Sequence, residues 1–290
     1  IILMITNIQI KNLINNGSVL VKNALNNIQV EKIKKIALQK MEKKHTDQRL
    51  MSGTNFFAIT PKQYLIKLIK FEFNKISNSL YLKDVSKKLK LNLIADNFYR
   101  EKSKLSMIHS YHTPKQKQEI RPWHSDRTYE YIDGQETQYN SEKIIKFPNP
   151  NYTALKFFFY LTPVGPKNGC TSYMPGSHEI TNAVRSCIYE NEIKYTSFRK
   201  LEDLVNLIYY NNNYKILSKK LGSEILLKDF LKNAQLMVEN QNLDTYDFEA
   251  NPGDLLIFND GGIHRGSKPS ISERLVIRYM YLVKSFGQTN

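Results

Sequence analysis

The chain is short of cysteine, tryptophan and acid. Only Cys170 and Cys187 occur in 290 residues, and neither belongs to a C-x-x-C pair. That excludes a disulfide framework and a cysteine-rich structural zinc site, so a reducing, cytoplasmic setting is expected. Long apolar runs are missing too. The richest, "ALKFFFYLTPV", is interrupted by Lys156 and closed by Pro163, and it reads as a strand rather than a membrane span. The opening "IILMITNIQIKN" is too short and too polar for a signal peptide or a span. Asp and Glu number 27 against 42 Lys and Arg, a net charge of +15. The lysines fall in helix-like stretches such as "KIKK" and "KKLK", with no arginine-rich or aromatic-interleaved stripe. The surplus therefore reads mainly as compositional bias, nucleic acid is not an expected partner, and a small anionic substrate is favoured. Nothing in the sequence bears on oligomeric state.

What is present is ample material for a core. Hydrophobic residues make up 41%, with 18 Tyr and 14 Phe, so disorder is not expected and one large or two small domains are. The first hundred residues carry helical periodicity. In "NALNNIQVEKIKKIALQKMEKK", Val30, Ile33, Ala37 and Met41 recur at helical spacing. In "TPKQYLIKLIKFEFNKI", Thr60 is placed to cap a helix with Pro61 at its first position, and Leu65, Leu68, Phe73 and Ile76 share a stripe. "YLKDVSKKLKLNLI" predicts a third helix.

Near residue 103 the pattern turns to strands. "KLSMIHSYHT", "YTALKFFFYLTPV", "CTSYMP" and "RLVIRYMYLVKSF" each predict one, and "YDFEANPGDLLIFND" predicts two around the turn Asn251-Pro252-Gly253-Asp254. Residues 180 to about 245 are polar and helix-forming. That insert and the Gly-, Pro- and Asn-rich loop 127–151 are expected to form a pocket lid. The expected class is mainly β with flanking helices (α+β). A helical region 1–102 would pack on a core 103–290, as one structural domain.

"RPWHSDRTY" poses the chemical question. His124 and Asp126 sit two apart, on one face of an extended chain, beside the single tryptophan, Trp123. They are a metal pair or a hydrogen-bonded turn. A third donor, His264, follows a Gly pair in "GDLLIFNDGGIHRGS", where backbone can approach closely. Two histidines and a carboxylate on one triangular face suit non-haem Fe(II). On the last strand, Arg274, Val276 and Arg278 share one face and Leu275, Ile277, Tyr279 and Tyr281 the other. The apolar set packs under helices, so Arg274 points inward, where a guanidinium requires an anion. His109 and His112, three apart on a strand, face opposite ways and cannot share one metal. His109 alone is a candidate for the pocket wall.

Together "WHSD", "LKFFFYLTPVGPKNGCTSYMPGSHE", "GDLLIFNDGGIHRGS" and Arg274 resemble the phytanoyl-CoA dioxygenase family over roughly residues 100 to 285. The resemblance implies a double-stranded β-helix, a cupin-like jelly-roll barrel. It implies Fe(II) on His124, Asp126 and His264, with 2-oxoglutarate and O2 as cosubstrates. It implies Arg274 as the clamp on the distal carboxylate of 2-oxoglutarate, with Arg278 the alternative, Phe158 on the cosubstrate pocket and Ser267 assisting the clamp. The implied activity is hydroxylation of an unactivated C–H bond of a small, anionic metabolite. Related halogenases lack the carboxylate ligand, and Asp126 is retained here. Two rival readings stand beside it: a non-catalytic binding or regulatory protein on an oxygenase barrel, and a nucleic-acid oxygenase drawn from the charge alone.

Overall fold

The computed structural model describes residues 5–39, 53–126, 153–194, 198–239 and 243–283. The chain begins with α1 (Asn7–Asn16), β1 (Ser18–Val21), α2 (Asn27–Leu38) and β2 (Gly53–Phe56). Helices α3 (Pro61–Ile69), α4 (Phe73–Lys88) and α5 (Leu91–Tyr99) follow, then β3 (Ser103–Thr113), β4 (Arg121–His124), β5 (Leu155–Tyr160) and β6 (Thr171–Tyr173). The insert supplies α6 (Ser177–Tyr189), α7 (Leu201–Tyr209), α8 (Asn213–Leu221) and α9 (Glu224–Val238). A short 3-10 turn (Leu243–Tyr246) leads into β7 (Leu255–Asn259), β8 (His264–Gly266) and β9 (Arg274–Val283). The strands form two antiparallel sheets, β1-β7-β5-β9-β3-β2 and β4-β8-β6.

Alternation along the central strands divides the large sheet into two environments. Leu155, Phe157 and Phe159 on β5, Leu255 and Ile257 on β7, and Leu275, Ile277, Tyr279 and Tyr281 on β9 bury an outer face against helices of the N-terminal half. The apolar positions Val30, Ile33 and Ala37 of α2 join that core, as their helical spacing predicts. Two tyrosines on β9 anchor α4 by hydroxyl contacts: Tyr279 Oη donates to Leu82 O at 3.0 Å, and Tyr281 Oη meets Ser86 Oγ at 2.6 Å.

The opposite face of the same strands lines the barrel in layers set by register. Met107, Met280, Lys156 and Phe258 lie side by side across β3, β9, β5 and β7. The next layer is His109, Arg278, Phe158 and Leu256. Tyr111, Val276 and Tyr160 follow, and Arg274 lies opposite Thr113 beyond them.

Several details depart from the sequence reading, each for a local reason. The N-terminal region is not purely helical. The β-branched "SVLV" of β1 pairs with β7 and β2 pairs with β3, so it contributes both edge strands of the large sheet. Thr60 and Pro61 start α3 as expected, with a capping box to Gln63. The helix then breaks at Phe71, whose φ is 54°. The stripe therefore does not form a buried face: Leu65, Leu68 and Phe73 are 57%, 49% and 57% exposed. The third predicted helix is likewise divided between α4 and α5 by Lys90 in the left-handed region. Upstream of the Asn251–Asp254 turn the described residues form no second strand. Asp247 and Ala250 make isolated bridges to Ser172 and Val164 instead. Met41 and the loop 127–151 lie outside the described residues.

The insert also differs from a simple lid. Its four helices bury their apolar faces on one another and on Trp123, Met174 and Ile263 of the small sheet. Amphipathic helices satisfied in this way form a buttress. Only Arg199, beside the core residue Phe198, brings a described side chain of the insert to the central cavity.

The turn before β7 is tightly constrained. Gly253 has φ 94°, and a Cβ there would stand 2.6 Å from Leu25 O. Its amide donates to Tyr160 O at 2.9 Å and its carbonyl accepts from Leu25 N at 3.0 Å. Gly253→Ala is expected to cost about 1–3 kcal/mol through backbone strain, read as a lower denaturant midpoint without a change in slope.

Candidate metal and cosubstrate site

His124 ends β4 and His264 begins β8, and the two are paired directly across the antiparallel ladder. Directly opposed residues point to the same face, and their ring centroids are 4.3 Å apart. Asp126, two residues past His124, returns to that face because its amide donates to Asp260 O at 3.1 Å. One ligating atom from each of His124, Asp126 and His264 lies within 4.8 Å of the others.

The backbone selects the tautomers. His124 Nδ1 lies 2.7 Å from Pro122 O and His264 Nδ1 2.9 Å from Gly262 O, contacts that require Nδ1–H as donor. Each Nε2 is thereby left as a lone pair. His124 Nε2 is buried without a hydrogen-bond partner among the described residues, although Asp126 Oδ1 is 3.2 Å away. Two lone pairs and a carboxylate facing one point need a cation, so the donor set fits a 2-His-1-carboxylate metal site. The glycines before His264 allow the close packing this needs: a Cβ on Gly262 would overlap the Tyr173 hydroxyl, at 1.9 Å.

Electrostatics hold these groups in their ligating forms. Burial, aided by the neighbouring His264, pushes the pKa of His124 down to about 3. Burial works to raise the pKa of Asp126, but the Lys156 ammonium beside it holds its carboxyl well below the usual range. Lys156 Nζ contacts Asp126 Oδ2 directly and lies 3.4 Å from Asp260 Oδ2, while Arg121 Nη1 donates to Asp126 Oδ1 at 3.1 Å. Burial lowers the pKa of Lys156, against the attraction of these two carboxylates.

The site opens into a cavity of about 360 Å3, a size suited to small molecules. Arg274 lies on its wall and is 2% exposed. Its guanidinium carbon sits 5.4 to 5.7 Å from the ring centres of Tyr111, Phe158 and Tyr160, and Nη2 donates to Thr171 Oγ1 at 3.0 Å. Its Nε is buried without a hydrogen-bond partner among the described residues. Phe158 lines the cavity beside it. Ser267 is not among the lining residues, and its hydroxyl meets Cys170 Sγ at 3.2 Å and Gly165 O at 3.4 Å. Thr171 supplies the hydroxyl that reaches Arg274.

The remaining histidines separate as their spacing requires. His109 lines the cavity, while His112 points to Glu273, with Nε2 2.8 Å from Oε2. His178, in α6, has its Nε2 3.0 Å from Ile14 O, a structural contact. Trp123 alternates with His124 and packs outward, edge-on to Tyr246. Sequence reasoning missed Lys156, Arg121, Asp260 and Thr171. Lys156 left a signal, since it shares the inward face with Phe158 and Tyr160 in an otherwise apolar strand. Asp260 and Thr171 depend on distant pairing, while Arg121 lies only five residues before Asp126.

Replacing Lys156 with Met would leave Asp126 and Asp260 buried without their shared ammonium. We expect a loss of about 3–5 kcal/mol in unfolding free energy, with part recovered on adding Ni(II), measured by chemical denaturation.

The family model for phytanoyl-CoA dioxygenase matches residues 14–274. No curated protein sequence matches the chain. Among solved structures, the carbocyclase SnoK from nogalamycin biosynthesis aligns with a TM-score of 0.51 at 13% identity, covering 96% of this chain and 84% of its own. HygX from Streptomyces hygroscopicus, solved with nickel and 2-oxoglutarate, gives 0.51 at 12% identity, covering 97% and 88%. EvdO2 from Micromonospora carbonacea var. aurantiaca gives 0.50 at 11%, covering 98% and 93%. At these identities the likeness is one of fold. With the family match spanning most of its length, the chain belongs to the phytanoyl-CoA dioxygenase family of iron(II)- and 2-oxoglutarate-dependent dioxygenases.

Proposed function

We propose that this chain hydroxylates an unactivated C–H bond of a small anionic metabolite. His124, Asp126 and His264 would hold ferrous iron, and Arg274 would anchor the distal carboxylate of 2-oxoglutarate. The observation that carries the reading is the convergence of three ligating groups on a cavity that also holds a buried guanidinium. Between the two candidate clamps, Arg274 is favoured over Arg278. Arg274 is the more deeply buried, and it is boxed by three aromatic rings. A planar fork of this kind matches a carboxylate bidentately.

When bound, iron with 2-oxoglutarate and dioxygen supplies the oxidising chemistry. The residues of the chain position and insulate it. Pro122 O and Gly262 O keep the two imidazoles turned with Nε2 toward the focus. Lys156 keeps Asp126 ionised, and Arg121 helps orient it. Phe158, Phe258 and Tyr111 form the apolar wall that limits water near the reacting atoms. The retained carboxylate ligand favours hydroxylation over halogenation. The complete triad also disfavours a purely regulatory barrel, because a non-catalytic site has no need of all three donors.

Anaerobic addition of Fe(II) and 2-oxoglutarate is expected to produce a weak visible charge-transfer band, lost in His124→Ala. Arg274→Gln should keep metal binding but weaken 2-oxoglutarate about 100-fold, the size expected for losing a buried charged partner. Absence of the band in the wild-type protein would refute the oxygenase assignment.

A further inference from the structure

Helix α3 is turned inside out. A surface helix ordinarily buries its apolar stripe and shows its polar one. No residue of α3 is buried, and its two half-buried side chains are Tyr64 and Lys67. The Tyr64 ring lies 5.4 Å from the ammonium of Lys83 on α4, and Lys67 Nζ is 3.6 Å from Glu72. At helical spacing Leu65, Ile66 and Ile69 fall on the opposite side. They are 57%, 44% and 67% exposed. The turn that follows extends this apolar surface. Phe71, in the left-handed region, is 80% exposed and Phe73 57%, with ring centres 6.2 Å apart.

The charge around this face has one sign. Lys62 lies on the outward side of α3 and Lys70 caps its end, both exposed. Glu72 is the only acidic residue between positions 60 and 83, and Lys67 and Lys75 both pair with it. A second copy docked here about a two-fold axis would set this lysine rim against itself, and like charges brought together oppose association. An anionic partner complements the rim. Among anionic partners, the boundary of a bilayer accepts projecting apolar side chains in any arrangement, with no matching pocket for each. Lysines beside them can lay their stems along the apolar surface and keep their ammonium groups among the headgroups.

We propose that α3 and the turn after it form a docking surface for an anionic lipid bilayer. Leu65, Ile66, Ile69, Phe71 and Phe73 enter the acyl boundary, while Lys62 and Lys70 meet acidic headgroups. With 9 residues α3 is too short to span, so the contact is peripheral. Strand β2, which runs into α3, pairs with β3 at Phe56 and His109, and His109 lines the cavity. The docking segment is thus continuous with the cavity wall. The proposal goes beyond the oxygenase reading and does not depend on it.

The test is flotation of the full chain with vesicles of phosphatidylcholine, alone or mixed with phosphatidylserine. Wild-type protein should float with the mixed vesicles, remain behind with phosphatidylcholine alone, and be released at high salt. Leu65→Gln with Ile69→Gln keeps good helix formers at exposed positions. It should lower vesicle affinity at least about tenfold, from the apolar area withdrawn, with the thermal midpoint unchanged. Lys62→Gln with Lys70→Gln should weaken binding by about tenfold. Phe71→Trp should show a blue shift of emission on the mixed vesicles, over the constant signal of the buried Trp123. The proposal is overturned if wild-type protein does not float, or if the Phe71→Trp emission does not move. It is overturned if the Leu65→Gln, Ile69→Gln variant floats as well as wild type, which would assign binding to the general charge of +15. A wild-type dimer that this variant turns into a monomer would make a second copy the occupant. A lowered thermal midpoint in the same variant would show the face to be covered by the chain itself. Either result also overturns the proposal.

Discussion

Asp126 carries a negative charge into the wall of the barrel cavity, and the chemistry around it answers the cost of doing so. Lys156 reaches it from β5, Arg121 from β4, and the two imidazoles close the remaining side. An ionised carboxylate removed from water is tolerated only with such partners. Lys156 in turn is tolerated because Asp126 and Asp260 share it. The same arrangement that makes burial possible leaves a point where three donors meet, a set that could hold a divalent cation.

Strand β9 transmits this demand to the rest of the molecule. One of its faces is apolar and aromatic and binds the N-terminal helices through packing and the tyrosine hydroxyls of Tyr279 and Tyr281. The other face presents Arg274 and Arg278 to the cavity. A one-residue slip would exchange the two faces, burying guanidiniums under helices and turning tyrosines into the barrel. Register is therefore set by both environments at once. On the far side, the insert helices α6–α9 stabilise the small sheet behind His124 and His264, so the two candidate ligands rest on a strand pair backed by a core of its own.

Much of this was legible from side-chain alternation. The H-x-D pair, His264 and the two arginines could be placed on faces because strands have a period of two and because charged residues in apolar strands demand inward partners. The capping of α3 by Thr60 and the Pro-Gly turn before β7 were equally local and equally readable. The breaks at Phe71 and Lys90 were not, because non-glycine residues in the left-handed region leave no strong sequence mark. The exposed stripe of α3 carries the same warning, since helical periodicity reports an amphipathic face without saying what covers it.

By itself the sequence determined which residues share a face and where the turn before β7 must fall, since these follow from backbone geometry within a few residues, while the set of His124, Asp126 and His264 rested on the resemblance of widely separated motifs. Tertiary structure alone decided that β1 and β2 complete the large sheet, that Lys156 meets Asp126 and Asp260, and that Thr171 rather than Ser267 reaches Arg274. Those pairings join segments from 30 to more than 200 positions apart. Their partners are selected by the energy of burying charge and apolar surface together, which no local pattern encodes.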